Sequence, residues 1–495
     1  MAPIFPVLHA KAAEPRLLCI PEELILEIAY QLGDDVAALG NLRLGSKKLA
    51  NVAATALFEE AHVALIPRSL KNLDKIASNG HFARMVKRVV LHGQMITQES
   101  SEDWLKAVQR AGLQLSEAEN QKMYFRYAAY AATQAQFIDS LKFNSLSSTL
   151  PGAAQARESF EAGIAQLVNL SDVRVVSYED GDNNSNFWRK YGKKIGVTPA
   201  NWRALNGFST IAEASINNDA FHEHKGREEG YALIASLLQA LSNLPDRLSR
   251  LKLTTAGGEL WKNTIIRQSA PLFAHLVVLD VTAWQIGLDA PEMGACITAC
   301  VQLKELHLRA KSVGPVSIIS WQTYHSLFDV LHYITHWPAL TKLTLDIQTS
   351  QPALLKACRS LKTSLKTLNL RNVFLRPLSN ELADAVTMLV EEEEEDPDWK
   401  KLALTWGSWE HTITEISKIL TLADVSFVNL YELHDPRHRK ICCWQFVYQR
   451  WKNYVQDYVL RKRGSTEEFV VDQRQWVISK PLRGLAEGSD GWDTD

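Results

Sequence analysis

Leucines recur along much of this chain in a triplet whose members are separated by three residues and then by two. Residues two apart lie on the same face of a β-strand, so each triplet predicts a strand with one buried face. The triplets are Leu248/Leu251/Leu253, Leu276/Leu279/Val281, Leu303/Leu306/Leu308, Leu340/Leu343/Leu345 and Leu365/Leu368/Leu370, with weaker copies at Val86/Val89/Leu91 and Leu170/Val173/Val175.

Segments between the triplets carry apolar residues at helical spacing, which indicates that strands alternate with helices. Two such helical faces are Tyr231, Ile234, Leu238, Leu241 and Tyr324, Leu327, Leu331, Ile334. The alternation predicts an α/β protein in which each unit consists of one strand and one helix.

The central leucines of successive triplets are separated by 28, 27, 37 and 25 residues. Most of these intervals match the roughly 20 to 29 residues of leucine-rich repeats, and the longest one indicates an insertion at Lys311 to Trp321. The spacing therefore predicts an irregular leucine-rich-repeat solenoid of parallel strands and helices over residues 61–430. An ordinary parallel sheet with crossover helices is the alternative, since it shares the alternation of elements.

In such a solenoid the leucines of each strand face the core, and the residues between them point to the concave face. The predicted concave face mixes both charges, which suits a protein target better than a polyanion. The predicted target-binding residues are Lys252, Asp280, His307, Arg309, Thr344, Asp346, Asn369 and Arg371, and Arg174, Thr254 and Thr282 are predicted on the same face.

Residues 14–60 predict a module of three short helices, preceded by a flexible stretch at 1–13. Pro21 opens the first helix, because its fixed φ suits a helix start. Asp34 or Asp35 is predicted to cap the second helix and Ser46 the third. So small a unit gains only about 3–5 kcal/mol from its own core, so its apolar faces are expected to pack against another surface. The first of these faces is Leu24, Ile25, Ile28 and Leu32.

The start of this module also carries a resemblance to a known family. The pattern is Leu18-Cys19-Ile20-Pro21-Glu22-Glu23-Leu24-Ile25-Leu26-Glu27-Ile28, followed by Leu39, Leu42, Leu44, Ser46, Lys47 and Leu57-Phe58. It resembles the F-box motif of fungal-type F-box proteins, in which the motif docks on a Skp-type adaptor. Gly45 departs from the family pattern, which usually has Val or Cys there. Carried over by position, the resemblance assigns adaptor binding to Leu18, Ile20, Pro21, Leu24 and Ile28.

The resemblance implies the substrate-recognition subunit of a Skp/cullin/F-box-type ubiquitin ligase, which recruits an unknown protein target through its concave face. The adaptor would connect the chain to a cullin, and catalysis would come from proximity alone. This chain would then be no enzyme and would hold no catalytic residue. Two alternatives remain open: a leucine-rich-repeat interaction scaffold with no role in ubiquitin transfer, and an enzyme with a dispersed site.

Three other regions complete the predicted organisation. Residues 103–168 predict a helical insertion, because Ser116 and Glu119 form a capping box ahead of apolar residues at helical spacing. Residues 431–460 predict a C-terminal capping helix, and the polar residues 461–495 a mobile tail. The apolar face of the capping helix is Trp444, Val447, Tyr448, Trp451, Val455 and Tyr458.

Composition narrows the class of partner. The formal net charge of -2 gives no electrostatic footprint for nucleic acid or an anionic membrane. No apolar segment approaches the roughly 20 residues needed to cross a bilayer, and Met1 to Ala13 lacks a signal-peptide core. We therefore expect no nucleic acid, no membrane, and an intracellular location in the cytoplasm, the nucleus or both, where the 6 cysteines stay reduced.

Catalytic and metal-binding motifs give little support to an enzyme. Neither a G-x-x-x-x-G-K-[ST] loop nor a G-x-S-x-G elbow occurs in the sequence. His222-Glu223-His224 lacks the spacing that places two imidazoles on one helical face, and Asp180 to Asn184 lacks the glutamate of a calcium hand. A solvated loop and a polar turn are the predictions for these segments, with no metal and no cofactor.

Overall fold

The computed structural model describes the seven predicted strands, whereas most of the two predicted helical faces, including Tyr231, Ile234, Tyr324, Leu327 and Ile334, lies outside the described residues. The described residues are 20–32, 36–64, 67–92, 116–125, 153–176, 237–242, 248–256, 270–284, 291–311, 331, 337–375, 407–435, 440–444, 457–460 and 476–478, with some positions between 101 and 132.

Three short helices begin the described chain: α1 (Glu22–Gln31), α2 (Val36–Gly45) and α3 (Lys47–Phe58). Pro21 precedes α1, which confirms the predicted start of the first helix. The Ser46 hydroxyl accepts a hydrogen bond of 3.1 Å from the Leu49 backbone N–H, as predicted for the N-cap of α3. Asp34 and Asp35 lie outside the described residues. The helices enclose a small core of Ile25, Ala29, Leu39, Leu49 and Val52.

Fourteen described strands follow the helices in two sheets. Their bounds are β1 Glu60–Ala64, β2 Arg88–His92, β3 Asp172–Val176, β4 Arg250–Ala256, β5 Val278–Trp284, β6 Glu305–Lys311, β7 Lys342–Asp346, β8 Gln348–Thr349, β9 Thr367–Arg371, β10 Phe374–Leu375, β11 Asp424–Val428, β12 Leu430–Asp435, β13 Lys440–Trp444 and β14 Trp476–Ile478.

Nine of these strands form one sheet in the order β1-β2-β3-β4-β5-β6-β7-β9-β11, and every pair in it is parallel. Each of the seven predicted triplets coincides with one strand, which confirms the α/β class with a parallel sheet. The other two strands, β1 and β11, have the same apolar spacing. Ala61 and Val63 are buried in β1, and Val425 and Phe427 in β11.

The backbone repeats one hydrogen-bonding feature at each step of this sheet. The carbonyl just before a strand accepts two consecutive N–H groups from the next strand. The Glu59 carbonyl, for example, accepts from Lys87 and Arg88 at 2.9 and 3.0 Å. The other acceptors of this kind are Lys87, Ser171, Ser249, Val277, Lys304, Thr341 and Lys366. Because the same pairing recurs from β1 to β11, the strand-to-strand register is uniform across the sheet.

A second sheet has the order β14-β13-β12-β10-β8, with parallel pairs at β8, β10 and β12 and antiparallel pairs beyond. It corrects two predictions. Trp444 ends strand β13 instead of starting the predicted capping helix, because Lys440 to Trp444 pairs with β12. The predicted mobile tail contains β14, whose apolar β-forming residues Trp476, Val477 and Ile478 pair with β13. Residues 457–459, near the end of the predicted capping helix, are helical.

One hydrophobic core joins the inner face of the large sheet to the helices packed on it. Strand residues such as Leu306, Leu343 and Leu368 are completely buried and share this core with Phe160, Ile297 and other helical residues. The Trp337 indole N–H donates to the Ile297 carbonyl at 3.0 Å inside the core. The helices span Pro67–Ser78, Gly80–Met85, Ala153–Ala165, Ala270–Phe273, Pro291–Thr298, Gln351–Ser360 and Trp409–Ile419. The opposite face of the sheet carries mostly polar residues.

Candidate interaction surfaces

The polar face of the nine-stranded sheet collects the predicted target-binding residues in register. Lys252, Asp280, His307, Thr344 and Asn369 lie side by side on β4, β5, β6, β7 and β9. Arg309 pairs with Asp346 in the next row, and Arg371 follows on β9. The structure therefore brings all eight predicted residues onto one continuous face.

Charged side chains on β1, β2 and β3 bind one another across the strands. Arg88 donates to Glu60 at 2.8 Å and to Asp172 at 2.7 Å. Asp172 is buried and also accepts from Arg174 at 3.0 Å. Hydrogen bonds from His62 and Arg88 lower the pKa of Glu60 to about 2, although burial opposes them. The pair of Arg88 and Asp172 was not predicted from the sequence, because the two residues are 84 positions apart.

Two histidines continue this network on β1 and β2. His62 Nε2 lies 2.8 Å from Glu60 Oε1, and His62 Nδ1 lies 2.9 Å from His92 Nε2. The two rings are stacked, with centroids 5.2 Å apart. His92 and Val90 project to the polar side of β2, yet both are buried. The part of the polar face around His92 and Val90 is therefore closed to solvent.

The polar face on β5, β6 and β7 carries a second and looser set of ion pairs. Arg309 lies 3.3 Å from Asp280, and Glu305 lies 3.4 Å from Lys342 and 3.6 Å from His307. Burial lowers the pKa of His307 despite the neighbouring Asp280, so the imidazole is neutral at pH 7. Asp280 Oδ1 is buried and accepts no hydrogen bond from any residue that the structure describes.

Asparagines connect the last strands of the large sheet. The Asn372 amide donates to Asp346 at 3.0 Å, and the Asn429 amide donates to Asn372 at 3.0 Å. Both asparagines have a positive φ, 48° and 51°, a left-handed conformation that Asn tolerates better than most residues. Burial raises the pKa of Asp346, which is opposed by the Asn372 hydrogen bond. These bonds fix the end of β9 beside β7 and β11.

The predicted adaptor-binding residues are distributed over buried and exposed positions. Leu18 lies outside the described residues. Ile20 is half buried against the core of the three helices, and Pro21 is exposed at the start of α1. Leu24 is 56% exposed, and Ile28 one turn further along α1 is also exposed. Ile25 is completely buried, so α1 presents one apolar stripe inward and another outward.

Leu44 adds a third large apolar side chain to the exposed surface of the helical module. It is 85% exposed at the end of α2, the highest value among the large apolar residues that the structure describes as exposed. The sequence pattern contained Leu44 but did not assign it to the adaptor-binding surface. We call Leu24, Ile28 and Leu44 the apolar module surface.

Contacts at the end of α3 join the helical module to the large sheet. The Tyr30 hydroxyl donates to the Glu59 carboxylate, which also accepts from Lys87 at 3.1 Å. Burial and the neighbouring Glu59 raise the pKa of Tyr30 to about 12. Phe58 stacks on Phe82 with ring centroids 4.4 Å apart. Phe58 and Glu59, at the end of α3, therefore contact the helix Gly80–Met85, α1 and the residue before β2.

The capping box predicted for the helical insertion is present. The Glu119 carboxylate accepts from the Ser116 backbone N–H at 3.1 Å, and the Ser116 hydroxyl accepts from the Glu119 N–H at 3.4 Å. Residues 117–125 are helical. The segments 180–184 and 222–224, which were predicted as a polar turn and a solvated loop, lie outside the described residues.

The described part of the chain was searched for metal ligands and reactive thiols. Within it, no three His, Cys, Asp or Glu side chains are grouped to hold a metal ion. Burial raises the pKa of the Cys300 and Cys358 thiols, so neither is a nucleophile at neutral pH. No described helix is long and apolar enough to span a membrane.

Comparison with known proteins adds no relative. No protein-family model matches the chain, and no curated protein matches its sequence.

Proposed function

We propose that this chain is the substrate-recruiting subunit of a Skp/cullin/F-box-type ubiquitin ligase. The observation that carries the proposal is the apolar module surface, where three large side chains remain exposed beside a small closed core. Large exposed apolar side chains on one small module favour an interaction site, and Leu24 and Ile28 lie one turn apart on α1. Leu24 and Ile28 belong to the motif that resembles the F-box, so a Skp-type adaptor is the proposed partner.

We interpret the body of the chain as an irregular solenoid. Three features support this interpretation: the strands follow one another in chain order, all pairs are parallel, and the paired N–H contacts recur at each step. Units that contact only their sequence neighbours give an extended structure with one continuous polar face. This face is the proposed site for the protein target.

The proposed mechanism uses position rather than bond chemistry. The adaptor would hold the helical module, while Tyr30, Glu59 and Lys87 connect that module to the first strands. A target bound to the sheet would then be held at a fixed distance from the conjugating enzyme. Such tethering raises the effective concentration of the target lysines, and no residue of this chain takes part in ubiquitin transfer.

A scaffold with no role in ubiquitin transfer is the second candidate. The same solenoid and polar face would serve it, and the three helices would only cap the first strands. The exposed leucines favour the first candidate, because a cap that ends a core needs a polar outer surface.

Copurification with a Skp-type adaptor tests the proposal. The Leu24→Asp variant places a charge on the apolar module surface and should abolish capture of the adaptor, because a buried unpaired charge is costly. Val301→Asp is a matched control, since Val301 on the body of the chain is 55% exposed, close to the 56% of Leu24. Circular dichroism would verify that both variants are folded.

Stoichiometric capture by the intact chain and by Val301→Asp, with loss in Leu24→Asp, is the expected result. Failure of the intact chain to capture any adaptor would overturn the proposal and favour the scaffold. Equal capture by Leu24→Asp would overturn the assignment of the docking surface to α1.

A further inference from the structure

The polar face from β4 to β9 has a local excess of positive charge in a chain whose formal net charge is -2. The described bases on this face are Arg250, Lys252, Arg309, Lys342 and Arg371, and the acids are Asp280, Glu305 and Asp346. Asp424 is the next acid, at the start of the edge strand β11. His307 adds no charge at neutral pH.

Asp280 lies deeper on this face than the base it pairs with, whereas Glu305 and Lys342 are similarly exposed. The Asp280 side chain is 16% exposed and lies beneath Arg309, which is 40% exposed. Asp346 accepts the Asn372 amide, and Glu305 is engaged by Lys342. Each of these acids therefore already has a partner within the protein. The side chains that a binding partner meets first are mainly cationic.

Two exposed arginines make no ion pair with any residue that the structure describes. They are Arg250 at the start of β4 and Arg371 at the end of β9. Arginine presents a planar fork of donors that fits a carboxylate, and it is enriched in the cores of protein interfaces. The guanidinium groups of Arg250 and Arg371 are thus available for a partner, although Arg371 also lies near enough to Asp346 to lower the pKa of that carboxyl.

The spacing across the strands suits an extended peptide. Arg309 and Asp346 are paired across β6 and β7, and the register of β7 and β9 places Arg371 on the far side of Asp346. Two strand spacings separate the Cα atoms of Arg309 and Arg371 by about 10 Å. Alternate side chains of an extended chain are about 7 Å apart, so flexible acidic side chains at such positions reach both guanidinium groups.

We propose that the polar face of β4 to β9 binds an acidic peptide segment of a partner protein, whose carboxylates are received by Arg309 and Arg371. A peptide fits better than nucleic acid, because bases and acids alternate on this face, whereas a chain of phosphates is bound by an unbroken basic surface. The inference rests on the proposed function for its role, since it names the chemistry of the target. Peptide binding needs no adaptor, so a negative result for the peptide and a negative result for the adaptor can be told apart.

Fluorescence anisotropy on the full chain tests the inference. One labelled probe is a peptide of about ten residues with Glu at alternate positions, and the other carries Gln at the same positions. We expect the Glu peptide to bind about tenfold more tightly at about 0.05 M salt, with most of this advantage lost near 1 M salt as charges are screened. Equal affinity of the two peptides, or binding of neither, overturns the inference.

A pair of charge-matched variants locates the site. Arg371→Gln should weaken binding of the Glu peptide about threefold to tenfold, because it removes one charge-assisted contact. Lys356→Gln removes the same charge from an exposed residue of the helix Gln351–Ser360, which packs on the inner face of the sheet, and should leave affinity unchanged. Equal losses in both variants would indicate general charge attraction and would contradict the proposed site.

A labelled single-stranded DNA oligonucleotide of similar charge is the third probe in the anisotropy assay. It should bind more weakly than the Glu peptide. Tighter binding of the oligonucleotide, with loss in Arg371→Gln, would assign the face to nucleic acid and overturn the peptide assignment.

Discussion

On the first strands of the large sheet, Arg88 contacts Glu60 and Asp172 within 2.8 Å, and the neighbouring Val90 is buried on the polar side. On the last strands, Arg371 is exposed and makes no ion pair with a described residue. The backbone pairing is the same in both regions, with the same double N–H contacts at each step. The difference therefore lies in the side chains alone.

This difference separates charges that hold the fold together from charges that remain available to a partner. At the β1 to β3 end, opposite charges are matched across three strands around the buried Asp172. From β5 onward the ion pairs are longer, at 3.3 to 3.6 Å. A face built only for stability would be matched along its whole length.

The largest expected effect comes from removing Arg88. Arg88→Met leaves Glu60 and the buried Asp172 without their shared cation, and breaking such pairs costs about 3–5 kcal/mol when both partners are buried. Arg88 is 34% exposed, so we expect a loss of about 2–4 kcal/mol in the free energy of unfolding. Urea denaturation at neutral pH measures it.

Arg371→Met is the matched control, with an expected change below about 0.5 kcal/mol. Similar losses in the two variants would show that both ends of the face serve stability, and the proposed distinction would be lost.

The contributions of Glu60 and Asp346 to stability should depend on pH with opposite signs. The folded-state pKa of Glu60 is lowered from 4.5 to about 2, so its stabilising contribution is complete above pH 4.5 and is lost as the pH falls towards 2. Burial raises the folded-state pKa of Asp346 above 3.8, so its ionised form opposes folding once the pH exceeds that range.

Variants that remove each charge test this pH dependence, because urea denaturation between about pH 3 and pH 7 gives the free energy of unfolding. The deficit of Glu60→Gln relative to the natural chain should shrink as the pH falls below 4.5. Asp346→Asn should improve relative to the natural chain as the pH rises from 3.8. Parallel pH profiles for the two variants would contradict the contrast.

A smaller effect is expected at Asn372, which connects the exposed end of the sheet. Asn372→Ala loses hydrogen bonds with Asp346 and Asn429 and places an alanine at a φ of 48°, with an expected cost of about 1–2 kcal/mol. Asn372→Gly loses the same bonds but tolerates the backbone, so it should cost about half as much. Thermal unfolding of both variants separates the cost of the backbone conformation from the cost of the lost hydrogen bonds. An Ala variant more stable than the Gly variant would refute this account.

The sequence predicted the strands better than it predicted their partners. Alternating burial was readable at Leu251, Leu279 and Leu306 because a period of two is a local property. The partners of Arg88 depend on the register of strands far apart in the chain, which no local spacing reveals. The hairpin at β12 and β13 was missed because Trp444 also fits a helical period, and tertiary pairing decided between the two.

The polar face shows the same limit of prediction. All eight predicted target-binding residues lie on it, because the side of a strand follows from alternation. Their depth does not follow from alternation, and the burial of Asp280 beneath Arg309 emerges only when β5 and β6 are adjacent. The exposure of Leu24 and Leu44 likewise depends on how three helices close around Ile25.

The smallest expected effect is at Lys342, whose ion pair with Glu305 spans 3.4 Å between side chains that are 39% and 34% exposed. Exposed pairs of this kind contribute about 0–1 kcal/mol, so Lys342→Gln should change the free energy of unfolding by less than about 0.5 kcal/mol, and raised salt should remove the change. Urea denaturation at low and high salt measures both. A loss above about 1 kcal/mol would mean that charges in the middle of the open face also hold the fold. The charge available to a partner would then shrink to Arg250 and Arg371, and the peptide site would have to lie at the rims of the face instead of crossing it.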